Sequence, residues 1–244
     1  MRMRRYLSLT RSHSYSLLFA LPLLAFYEAG AIYIAQAEGS NLRNGADVML
    51  RAVLSIGGLR ETAALTLVVI AVSTVLVFLE RRRRAVPLRL PNFLGMAAES
   101  LLYAAILGIV VGTATQWLLN GIPIAFAAGS FTEMSQSEAL VLSLGAGLYE
   151  EIVFRVIVVG GLFGVFRTSG LESTRAGAFS VILAALIFSG FHYIGAYGDV
   201  WAIPSFLFRF LAGIAFSVLF LLRGFGITAW THALYDVLLV LGSA

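Results

Sequence analysis

The sequence predicts an all-α protein, a polytopic integral membrane helical bundle with about seven transmembrane helices. Three observations carry this expectation. Hydrophobic residues make up 59% of the 244 positions and charged residues only 12%, against about a quarter charged in a soluble domain. Apolar runs of the length needed to cross a bilayer recur along the chain. No segment alternates apolar and polar residues as a half-buried strand does, and no glycine-rich phosphate loop follows a strand. The chain lacks cysteine, which excludes disulfides, thiolate metal sites, cysteine nucleophiles and palmitoylation. The net charge of +4 comes from 17 basic residues, all arginine. They flank the apolar runs and form no separate basic domain, so topology explains them and no nucleic-acid partner is expected.

Residues 1–16, with Arg2, Arg4, Arg5 and Arg11, read as a basic cytoplasmic tail, and His13 in it reads as solvated. Residues 17–244 read as one transmembrane domain. The first span is 17–36. Ala35-Gln36-Ala37 fits a signal-peptidase site, but the apolar stretch exceeds a signal core and carries Pro22, Tyr27 and Glu28, so a retained span is expected. Residues 37–61 are mixed, and Ala46–Leu59 fits an amphipathic helix lying on the surface. The second span, 62–80, ends in Arg81–Arg84, which reads as a topology anchor. Pro87 and Pro91 punctuate the loop that follows.

The third span is 97–119, with Glu99 at its mouth and Trp117 suited to an interface. Residues 120–137 read as a loop, with room for a short re-entrant piece. The fourth span is 138–166, the fifth 177–196, the sixth 204–222 with Arg209, and the seventh 226–242. With the N-terminus in the cytoplasm, that side gathers the first four arginines, Arg81–Arg84, Arg89, Arg167, Arg175 and Arg223. The other side holds only Arg43, Arg51 and Arg60. This bias predicts an N-in, C-out arrangement. The Ala-, Gly- and Val-rich, lysine-free composition hints at a bacterial source, and the expected location is the cell (inner) membrane.

The fourth span carries Glu150, Glu151 and Arg155. Ionisable groups at bilayer depth face a protein interior or a wet cavity and mark function. Glu151 and Arg155 are four apart and can pair on one helix face. Glu150 is rotated about 100° from Glu151 and has no local partner. His192 and His232 fall in later spans, and Asp236 follows His232 at the same four-residue spacing. That last pair can be an orienter and a base, an Asp fixing an imidazole tautomer, or two metal ligands. A carboxylate such as Glu150 converging with His192 on a water would suit hydrolysis inside a membrane. Straight spans at about 1.5 Å per residue put these groups at different depths, so broken or tilted helices around a cavity are expected.

Glu150-Glu151-x-x-x-Arg155, Phe188-x-x-x-His192 and His232-x-x-x-Asp236, in this order over residues 138–240, resemble the CPBP family. That family comprises CAAX proteases and bacteriocin-processing enzymes, including the type II CAAX prenyl endopeptidase. The resemblance implies an intramembrane endopeptidase of glutamic type acting on a membrane-anchored protein or peptide. It implies that Glu150 activates water, aided by His192. His232 and Asp236 would line the oxyanion side or complete the polar site, and Glu151 and Arg155 would support Glu150. Many relatives carry Asn at the last position. An ionised Asp236 cannot donate to an oxyanion, so its role here is to be protonated, to orient His232, or to leave that donation to His232.

No cofactor is expected. Zinc is the mechanistic alternative, with Glu150, His192, His232 and Asp236 as its ligands. Two other functions compete. One is a non-catalytic immunity or scaffold protein of the same family. The other is a transporter using Glu28, Glu150 and Arg209 as a relay.

Overall fold

A computed structural model describes residues 2–37, 39, 41–61, 63–119, 134–195 and 198–242. Most of the expected 120–137 loop lies outside the described residues. Helices α1 (Arg2–Thr10), α2 (His13–Ala37), α3 (Gly45–Ile56), α4 (Ala64–Arg83) and α5 (Leu90–Leu118) make up the first half. The second half holds α6 (Gln136–Gly145), two π-helical segments (Ala146–Glu150 and Ile152–Val159), α7 (Gly160–Thr168), α8 (Ser173–Phe191), α9 (Ile203–Arg223) and α10 (Phe225–Gly242). No strand occurs among the described residues.

Helices α2, α4, α5, α8, α9 and α10 are each long and apolar enough to cross a membrane. The expected fourth span is the run from α6 to α7, helical throughout but with a changing hydrogen-bond pattern. We call it the motif helix. Its start is fixed by a capping box: Ser135 Oγ accepts the Glu138 N–H, and the Glu138 carboxylate accepts the Ser135 N–H. The outer surface is apolar. On α4, Leu67, Val72, Val75 and Phe78 are exposed, and only 11% of its apolar window is buried. Such a face suits hydrocarbon and would be a liability in water. The protein is a multi-pass membrane bundle.

Helix α10 packs against α2, α5, α6 and the first π segment. Small residues permit the approach. A Cβ on Gly147 would lie 2.5 Å from the Ala229 carbonyl oxygen and 2.6 Å from both the Ala233 nitrogen and its Cβ. Two of these are backbone atoms that cannot rotate away. Gly147→Ala is therefore expected to push α10 off the motif helix at a cost of about 1–3 kcal/mol, the usual range for overpacking. Thermal unfolding in detergent reads this, and an unchanged midpoint would contradict the close approach.

The N-terminal residues expected as a tail are largely helical, and they are docked. Tyr6 donates to Glu99 at 3.0 Å, and Arg223 donates to Glu99, Thr10 and the Leu7 carbonyl. Burial, with the Glu99 charge second, pushes the Tyr6 hydroxyl above the ordinary phenol range, which keeps it a donor. Helix α2 starts at His13, exposed as expected. Its first N–H groups are capped from another helix: Glu80 on α4 accepts His13 N–H at 3.3 Å and Ser14 N–H at 2.7 Å. Tyr15 reaches the loop before α5, donating to the Pro87 carbonyl. These contacts gather α1, the end of α4, the start of α5 and the α9–α10 turn at one end of the bundle. Arg11, Arg81–Arg84, Arg89 and Arg223 all lie in or directly beside these elements.

Helix α3 forms within the stretch expected to be an amphipathic helix. Its polar edge turns inward and its apolar edge outward. Asp47 is fully buried, accepting from Tyr27 at 2.7 Å and from Arg51 at 2.5 Å, while Val48, Val53 and Ile56 are exposed. The cause is Glu28 on α2. Arg43 and Arg51 bridge it to Asp47, and Thr66 of α4 and Tyr149 of the motif helix donate to it. Four elements thus share one polar junction. A cleft of about 710 Å³ opens beside it, lined by Ile32, Leu42, Val48 and Leu65 among others; Glu150 does not line it.

Candidate active site

The π segments decide how the motif helix presents its acids. Hydrogen bonds that skip one residue further widen the turn, so successive side chains rotate by less than in an α-helix. Glu150 and Glu151 both face the interior, at a smaller angle to each other than a regular helix would set. They meet the same imidazole on its two nitrogens. Glu151 Oε1 lies 2.7 Å from His232 Nδ1, and Glu150 Oε2 lies 4.0 Å from His232 Nε2.

His192 completes the approach, with Nε2 at 3.9 Å from the same Glu150 Oε2. It was expected inside a span running to 196. Instead α8 stops at Phe191 and His192 caps it. Turns through Tyr193 and Ile194 lead to Gly195, whose φ of 95° is in the left-handed region and closes the helix. The end is secured by the Asp199 N–H donating to the His192 carbonyl. The two imidazoles nevertheless meet at Glu150 Oε2. Near the start of α10, Gly226 is buried against α2 and its N–H donates to Ser16 Oγ. His232, less than two turns further on, is deep in the bundle and 5% exposed.

The tautomers follow from the partners. His192 Nδ1 sits 2.9 Å from the Phe188 carbonyl, which can only accept, so Nδ1 carries the proton. His232 Nδ1 likewise donates to the Glu151 carboxylate. Both Nε2 atoms then point at Glu150 Oε2. The second neighbour of His232 Nε2 is Asp236 Oδ2 at 3.5 Å. His232 stacks on Phe216, with centroids 4.5 Å apart and an interplanar angle of 20°. The ring is thus fixed in plane and in rotation.

Arg155 is the counter-charge. Its guanidinium is 1% exposed and lies 3.0 Å from Glu151 Oε1. It also sits over Phe188 at 4.5 Å and Phe216 at 5.4 Å, so ring faces surround the cation. All six residues singled out in the sequence converge: Glu150, Glu151, Arg155, His192, His232 and Asp236. Arg209 does not join a relay with Glu28 and Glu150. It pairs with Asp199 on the loop after His192, and Glu28 belongs to the α3 junction.

One contact was not expected. Asn44, between α2 and α3, donates its side-chain N–H to Glu150 Oε1 at 3.0 Å. The sequence did carry a signal for Asn44 as a helix cap, with Asp47 three residues on. It carried none for its reach to position 150. For a metal, Glu150, His192, His232 and Asp236 were the expected ligands. Among the described residues, no group of three or more His, Asp or Glu side chains is arranged to hold one.

A multi-pass helical bundle whose interior collects three carboxylates, two imidazoles and a guanidinium defines a membrane protein with a built polar site. Residues 133–238, the stretch that carries every one of these groups except Asn44, match the family described as type II CAAX prenyl endopeptidase Rce1-like. Over those residues the chain is similar to the CAAX protease and bacteriocin-processing family, a likeness that supports a membrane protease at a coarse level. No curated protein and no solved structure matches it.

Proposed function

We propose that this protein is an intramembrane endopeptidase of glutamic type that hydrolyses a peptide bond in a membrane-anchored protein or peptide. One observation carries the reading: a buried carboxylate oxygen, Glu150 Oε2, faces the Nε2 atoms of His192 and His232 at 3.9 and 4.0 Å. These distances are too long for direct hydrogen bonds and suit a bridging water. Such a water donates one hydrogen to Glu150 and one to His192, which leaves a lone pair for the scissile carbonyl. Glu150 takes the proton as the carbon–oxygen bond forms. His232, with Glu151 on Nδ1 and Asp236 beside Nε2, carries a second proton on Nε2 and donates it toward the oxyanion. Asp236 orients that imidazolium and is not itself the donor. The proton on Glu150 then passes to the leaving amine. No metal is required.

We place the protein in the cell (inner) membrane, with the arginine-rich end of the bundle, and so the N-terminus, in the cytoplasm. The grouping of Arg11, Arg81–Arg84, Arg89 and Arg223 at one end supports this.

The test compares the membrane proteome of cells carrying the wild-type chain with that of cells carrying Glu150→Ala, reading for proteins whose termini shift. A small set of proteins that lose a terminal segment only with Glu150 intact is the expected result. Cleavage of such a substrate by purified protein should survive a strong chelator. Unshifted termini, with both chains equally abundant, would favour an immunity or scaffold protein. Activity lost to the chelator and restored by zinc would overturn the metal-free mechanism.

A further inference from the structure

We infer that Asn44 is a positioning residue for Glu150, holding one carboxylate oxygen so that the other is presented to the two imidazoles; this rests on the proposed role of Glu150 as the base. The two oxygens of Glu150 have separate neighbours. Oε1 accepts from Asn44 Nδ2 at 3.0 Å, and Oε2 faces His192 and His232. A carboxylate free to rotate about its last torsion would exchange them, because that torsion is broad and nearly two-fold. A fixed donor on one oxygen removes the exchange.

The orientation of the Asn44 amide is itself determined. Asn44 is the N-cap of α3, and its Oδ1 accepts the Ala46 N–H at 2.9 Å. A backbone N–H can only donate, so the oxygen must lie there and the NH₂ must face Glu150. The Asn44 backbone is held in turn: its N–H donates to Tyr27 Oη at 3.1 Å, and Tyr27 donates to buried Asp47 at 2.7 Å. The donor therefore rests on a cap, a tyrosine and a buried acid, and it is only 7% exposed. The motif helix is held from the same junction one residue earlier, where Tyr149 donates to Glu28 at 3.2 Å. Asn44 and Tyr149 together aim the helix segment and the carboxylate it carries. The polar junction of α2, α3 and α4 is in this view the outer support of the base.

The two roles of Asn44 can be separated, because Ser and Asp cap helices about as well as Asn. Asn44→Ser keeps an acceptor for the Ala46 N–H and is too short to donate to Glu150. Asn44→Asp keeps the cap and turns an acceptor toward Glu150. Asn44→Ser is expected to unfold at nearly the wild-type temperature, whereas Asn44→Asp sets a second carboxylate beside buried Glu150 and should unfold lower. Their kcat should fall by about 10- to 100-fold, the range for outer-shell partners of a site, and further in Asn44→Asp than in Asn44→Ser. KM should stay nearly constant, since the substrate is not touched. A role confined to capping predicts wild-type kcat in both.

A second readout needs no turnover. The infrared carboxylate band of Glu150 is the one that Glu150→Gln removes, and it should shift in Asn44→Ser. A shifted band in a chain that cleaves nothing would support the positioning contact while sinking the protease reading. An unshifted band with undiminished kcat would overturn the inference.

Discussion

Arg155→Leu is expected to destabilise the protein by about 3–5 kcal/mol, the cost of removing one partner of a buried ion pair. Glu151 is fully buried, and its Oε1 has two close partners, Arg155 at 3.0 Å and His232 at 2.7 Å. Without the guanidinium, an anion remains in a site closed by Phe188 and Phe216. Arg155→Lys should lose less, because the charge stays while the planar stacking on the two rings is lost. The companion test is the double variant Arg155→Leu/Glu151→Gln. The amide oxygen still accepts from His232 Nδ1, and no unpaired charge is left, so most of the lost stability should return. Denaturant titration in detergent measures all three. A single Arg155→Leu variant within 1 kcal/mol of wild type would show that the pair is not the buried counter-charge described above.

His232→Gln is expected to lower kcat by about 10²- to 10⁴-fold, the range for a lost general acid–base group. Glutamine can donate to Glu151 through its amide and fills much of the same space against Phe216. It cannot carry a second proton between Glu150 and Asp236. The variant therefore keeps the packing and removes the proton, and its unfolding midpoint should change far less than that of Arg155→Leu. Retention of more than a tenth of the wild-type kcat would remove His232 from the chemistry and leave it a structural ligand of Glu151.

Much of this arrangement was legible in the sequence, and the reason is the bilayer. In an apolar span each ionisable residue stands out, so Glu150, Glu151, Arg155, His192, His232 and Asp236 could be named without knowing how they meet. Each expected span overlaps a helix for the same reason, although the fifth overruns the end of α8. What was hidden depends on pairings distant in sequence or on backbone geometry that hydropathy does not encode. The π segments leave no mark in the apolar pattern of 138–166, so Glu150 was read as turned away from Glu151. Asn44 lies in an ordinary polar connection, and its contact with Glu150 spans |i−j| = 106. The inward turn of α3 follows from Glu28 and Asp47 sharing Arg43 and Arg51, which a single-helix reading of Ala46–Leu59 cannot see. The end of α8 before His192 rests on a turn closed by Asp199, beyond the apolar run that defined the span.

The cap that Glu80 supplies to α2 bears on how the chain is made. Helix α2 leaves the ribosome well before its acceptor exists, because the Ser14–Glu80 contact spans |i−j| = 66. Any nascent fragment ending before residue 80 carries those first-turn N–H groups without that carboxylate. The beginning of the first span is therefore settled only when the second has been synthesised. The two spans and α3 between them form the smallest unit that holds both this cap and the Tyr27–Asp47–Asn44 support on which Glu150 rests, while the docking of α1 waits for Glu99 and Arg223.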